Sequence, residues 1–130
     1  MGSESILTSI KKLLGIAEDY EQFDIDLVMH INTVLATLHQ LGVRPDNGFF
    51  IEDRFADWTE FMGDDPRLNL VKSYVHLRVK LLFDPPLGSA VLEAMDRTIK
   101  ELEWRITAIT GLKDTSSSDK EESNNNEQRT

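Results

Sequence analysis

Apolar residues recur along this chain at three- and four-residue steps, in stretches separated by clear stop signals. Such spacing places side chains on one face of a helix. Ile6, Ile10, Leu13 and Leu14 predict a short first helix, with Ser3 as its cap and Gly15 as its end. An acidic linker, Glu18 to Gln22, follows. Asp24 is a plausible cap for a second helix built on Leu27, Val28, Ile31, Val34, Leu35 and Leu38, with Gly42 beyond its end. Asp57 can cap a short helical turn holding Trp58, Phe61 and Met62. Asp65 and Pro66 mark the start of the next helix, since a proline in the first turn forfeits no hydrogen bond. Its face of Leu70, Val71, Tyr74, Val75, Leu77, Leu81 and Leu82 is broad, which predicts a central helix. Asp84-Pro85-Pro86 stops it. A final helix runs from about Ser89 to Thr110, with Leu92, Met95, Ile99, Leu102, Ile106 and Ile109 in a strict heptad-like seam and Gly111 after it.

The fold class expected from this pattern is all-α. It is a small helical bundle of about four to five helices with a long C-terminal helix. Residues 43–55 fit it least. Pro45-Asp46-Asn47-Gly48 is a turn signal, and Phe49, Phe50 and Ile51 suit either a short strand or an extended, half-buried loop. From Lys113 to Thr130 there is no apolar side chain. That segment cannot bury enough surface to offset the entropy of ordering it, so residues 1–112 form the expected domain and 113–130 an expected disordered acidic and polar tail.

Composition narrows the function classes. Of the 130 residues, 40% are apolar and 28% charged, ordinary values for a globular domain. The formal net charge is −9, which argues against tight wrapping of nucleic acid, because phosphates are neutralised by clustered Lys and Arg. No apolar run approaches the roughly 20 residues that cross a bilayer. The opening MGSESILTSIKKLLG does not read as a signal peptide. No cysteine is present, which excludes a Cys nucleophile and thiolate metal sites.

No motif for chemistry emerges. His30, His39 and His76 form no HExxH, and the adjacent acids Glu52-Asp53 and Asp64-Asp65 lack the loop spacing of a cation site. There is no GxGxxG, GxxxxGK[ST] or GxSxG. No catalytic residue, cofactor or metal is expected.

Two constellations remain. Leu81-Leu82-Phe83-Asp84-Pro85-Pro86, then Gly88-Ser89, reads as a helix stop, a rigid bend and a restart. In Glu101-Leu102-Glu103-Trp104-Arg105, Leu102 lies on the seam while Trp104 and Arg105 lie off it. An apolar stripe wider than the seam would place Trp104 in the core. The enrichment of Trp and Arg in interface hot spots would place it on a partner.

A helix ending in FDPP, a small-residue restart and a closing helix with ELEWR resemble the head–tail connector group of tailed bacteriophages, also called head-completion or adaptor proteins. Phe83, Asp84, Pro85, Pro86, Ser89, Glu101, Leu102, Glu103, Trp104 and Arg105 carry the resemblance. Tyr20, Phe23-Asp24, Ile31-Asn32 and Leu41-Gly42-Val43 extend it, so that it spans roughly Ile6 to Ile109.

The resemblance implies a structural protein of the virion neck, held in the host cytoplasm before assembly. About a dozen copies would form a ring on the portal protein, extend the DNA channel and receive a tail-completion or stopper protein. DNA would pass without sequence-specific binding, and no membrane is involved. Phe83, Asp84, Pro85, Pro86 and Ser89 would shape the subunit by fixing the angle between the last two helices. Trp104, Arg105, Ile106, Ile109 and Leu112 are the expected partner contacts, on a C-terminal helix that reaches the portal. A second reading is a small acidic module that sequesters a basic host or phage partner one-to-one, without a ring.

Overall fold

The computed structural model describes residues 4–44 and 47–108. Within them the chain forms helices α1 (Ile6–Leu13), α2 (Asp24–Gln40), α3 (Trp58–Met62) and α4 (Leu68–Phe83), followed by α5 over residues 89–108. The all-α expectation agrees with this architecture. Ser3, Pro45, Asp46, Ile109, Leu112 and the 113–130 tail lie outside the described residues.

α2 and α4 pack along one another, and α1 lies against both. The core takes Ile6, Leu7 and Ile10 from α1, and Leu27, Ile31, Val34, Leu35 and Leu38 from α2. Trp58 and Phe61 of α3, Val71, Tyr74, Val75 and Val79 of α4, and Ile99, Leu102 and Ile106 of α5 complete it, with Val43 and Ile51 from the loop between α2 and α3. Each fully buried aliphatic or aromatic side chain contributes about 1.5–3 kcal/mol, so this shared core is the main source of stability.

Several element ends differ from expectation. Ser5, not Ser3, caps α1, accepting a hydrogen bond from Thr8 N at 3.2 Å. Asp24 does not cap α2. It is the first helical residue, and its carboxylate turns to the ammonium of Lys11 at 2.9 Å. Asp57 caps α3 as expected, accepting from Glu60 N at 2.8 Å. Asp65 accepts from Arg67 N at 2.8 Å within a turn that precedes α4, so α4 starts at Leu68, later than Pro66. Leu82, assigned to the α4 core face, is 48% exposed, and Val79 takes that place at 0%. Gly15 and Gly42 both have positive φ just past their helices, +79° and +92°, where a glycine end is least strained.

Residues 43–55 contain no strand among the described positions. The Asn32 side-chain amide supplies what a neighbouring strand would. Its Oδ1 accepts from Ile51 N at 2.7 Å and its Nδ2 donates to Ile51 O at 2.8 Å. Ile51 is thereby buried with both backbone groups satisfied. Arg44 holds the other side of the loop. It donates to Glu60 O at 2.6 Å, at the end of α3, and its guanidinium lies over the Phe49 ring. The isolated bridge of the structure joins Ser5 to Asp57, with Ile6 N donating to Ala56 O and Trp58 N to Glu4 O.

Candidate partner-binding surfaces

The bend between α4 and α5 is built as its sequence requires. Phe83, the last residue of α4, is half-buried and meets the Phe23 ring edge-on at 5.1 Å, which ties the end of α4 to the start of α2. Asp84 ends the helix and faces Lys80 at 3.6 Å. Pro85 and Pro86 carry the chain out of helical geometry, and α5 restarts at Ser89, with Leu92 N donating to Gly88 O. Beside this bend Leu87 is fully exposed, and Val91, one turn into α5, is 52% exposed. Leu92 and Met95 are half-buried and stand outside the core. Among the described seam positions, Ile99, Leu102 and Ile106 are therefore the fully packed ones.

Trp104 is 70% exposed, which overturns the core alternative for it. The reason is angular. Trp104 lies two residues from both Leu102 and Ile106, and at about 100° per residue that directs it roughly opposite their shared face. Arg105 is exposed beside it. Ile106 is corrected out of the contact set: it is 0% exposed, because it continues the seam into the core. Glu103, on a third side of α5, accepts from the Tyr74 hydroxyl at 2.6 Å. Burial, then that hydrogen bond, holds the Tyr74 phenol well above its ordinary ionisation range. This bond joins α5 to α4 beside the buried Ile99–Leu102–Ile106 seam, and the two together set the side of α5 on which Trp104 lies.

A second surface lies at the start of α2. A groove of about 390 Å³ has Leu7 and Val28 as its floor and Ile25 and Phe55 as its walls. Ile25 is 83% exposed and Phe55 72%. Glu21, Glu52 and Asp53 stand on its rim. Sequence reasoning missed this site. Ile25 carried the same signal as Trp104, a large apolar residue two positions from the core residue Leu27. Phe55 carried none, because it lies in irregular backbone.

The described residues contain no group of three His, Asp or Glu side chains placed to hold a metal ion. No helix among them is long and apolar enough to cross a membrane.

A family model described as phage connector protein matches residues 6–113. The chain belongs to that family. No curated protein and no solved structure gives a significant match. The match takes in every described helix of this connector, the FDPP bend and Trp104. It is a phage connector with an all-α fold, and its family is structural rather than catalytic.

Proposed function

We propose that this connector docks as a ring on the portal vertex of a tailed phage, extends the DNA channel and receives a tail-completion protein. In the virion it occupies the neck. The observation that carries the reading is the family match over residues 6–113. The surface chemistry supports it. Large exposed apolar side chains offer anchors for such contacts, among them Trp104 on α5 and the Ile25–Phe55 pair that lines one groove. A chain of net charge −9 also suits a channel along which DNA slides without adhering.

The FDPP bend sets the angle of α5. The exposed first half of α5, with Leu87 and Val91, and the Trp104–Arg105 face are the surfaces offered to portal and neighbours. Ile109 and Leu112 belong to the same proposed C-terminal contact region.

The test is co-expression of the full chain with the portal and tail-completion proteins of its own phage, followed by electron microscopy of the purified complex. A closed ring on the portal is expected. A one-to-one complex with a basic protein absent from the virion, with no ring, overturns the reading in favour of a sequestering module.

A further inference from the structure

We infer that the acid-rimmed groove at the start of α2 receives the Trp104 face of α5 from a second copy of this chain. This rests on the reading of the protein as a self-assembling connector and names the surfaces that would join its copies.

The groove defines its occupant by chemistry. Its floor and walls, Leu7, Val28, Ile25 and Phe55, call for an apolar anchor. Its volume of about 390 Å³ is near the low end for ligand-sized sites and suits one large side chain rather than a whole helix. The rim calls for positive charge. Asp24 is matched by Lys11 at 2.9 Å, and its Oδ1 takes no directed hydrogen bond there but is held by the ammonium charge. Arg54 lies over the Phe55 ring at 5.1 Å. Its charge offsets one of the three exposed acids Glu21, Glu52 and Asp53, which leaves the rim negative.

The α5 face supplies both requirements. Among the described residues the exposed cations are Lys12, Arg54, Arg97, Lys100 and Arg105. Three of these flank Trp104: Arg97 lies two turns before it on the same face, Lys100 one turn before, and Arg105 next to it. Lys100 is already paired with Asp96 at 2.9 Å, and Glu101, one turn from both Arg97 and Arg105, offsets one charge of that pair, so the Arg97–Arg105 edge keeps a positive balance toward the rim. Trp and Arg are each enriched in interface hot spots, and here a solvent-facing indole and a guanidinium stand side by side.

The chain's own C-terminal segment fits less well. From Asp114 onward its acids outnumber its bases and it offers no apolar anchor, so the rim would repel it. The knob and the groove are different surfaces of one subunit. A contact between them is heterologous, so it propagates from copy to copy and closes into a ring when the rotation permits.

The absence of cysteine gives a clean background for a proximity test. Full-length R54C and E101C, which flank the groove and the Trp104 face and leave Phe55 and Trp104 in place, are mixed at high concentration and oxidised mildly. Both positions are exposed, and unchanged melting confirms that each variant folds. The mixed R54C–E101C disulfide is expected to exceed either homodimer, and the double variant R54C/E101C is expected to give a ladder of oligomers. In sedimentation, E52K/D53K and R105E should each weaken self-association at least about tenfold, and their combination should restore it.

Four outcomes overturn the inference. A dominant E101C–E101C dimer indicates a symmetric contact. A disulfide from R54C to L112C, in preference to E101C, indicates that the chain's own C-terminal segment fills the groove. Self-association unaffected by every variant means that other surfaces join the copies, which removes this interface and leaves the connector reading intact. Absence of self-association in solution together with absence of a ring on the portal removes both.

Discussion

Asn32 shows how much one side chain can decide. It is a poor choice for helix propensity, yet it stands in the middle of α2. Its amide reads both backbone groups of Ile51 as a strand would, so the long α2–α3 connection is held without a sheet. Asn32→Ala should therefore cost about 1–3 kcal/mol, because Ile51 loses both partners while buried. Chemical denaturation gives the magnitude. Hydrogen exchange at the Ile51 amide should accelerate well beyond the rest of the core. Trp104 is the opposite case. Trp104→Ala would cost about 3–5 kcal/mol in a core site. At its exposed position the thermal midpoint should barely move, by an amount typical of surface changes, while assembly on the portal fails.

At the scale of elements, buried charges join what the helices alone leave apart. The Lys11 side chain is 3% exposed, and its ammonium donates to Glu18 O at 2.9 Å and Tyr20 O at 2.6 Å while facing Asp24. One residue of α1 thus holds the α1–α2 linker and the first turn of α2. Lys11→Met should destabilise by about 3 kcal/mol, the lower end for breaking a buried pair, because Asp24 keeps part of its water. Heteronuclear relaxation should show residues 16–23 loosened. His76 couples the end of α1 to α4 in another way. Burial first, and then nearby Lys80, lower its pKa below the ordinary 6.5, against a backbone hydrogen bond at Leu13 that favours the proton. The folded state therefore binds this proton less readily than the unfolded chain. Its contribution to stability is present above pH 6.5 and is lost as pH falls through the lowered value. His76→Gln should flatten that part of the stability-versus-pH curve, as read by denaturation at fixed pH steps.

For the whole molecule, the core draws on all five helices, and its described part ends with Ile106. Ending the chain at Leu112 should leave the melting temperature unchanged. A clear fall would mean that residues beyond that point contribute to the folded domain. The same architecture separates folding from assembly. The seam that holds α5 to the bundle and the face that carries Trp104 lie on opposite sides of one helix, so a partner can be engaged without opening the core.

The sequence by itself determined the helices, their approximate ends and the family. Those properties follow from local rules: apolar spacing, glycine and proline punctuation, and short motifs whose order is readable along the chain. It also held a signal for Trp104 and Ile25, each two positions from a core residue on its helix. Only the tertiary structure decided that Trp104 faces solvent, that Ile106 does not, and that residues 43–55 form a clasped loop. It alone brought Phe55 beside Ile25 to make a groove. Those outcomes depend on contacts between residues far apart in sequence, such as Asn32 with Ile51 and Tyr74 with Glu103. No local periodicity encodes such contacts, because they exist only once the elements have packed.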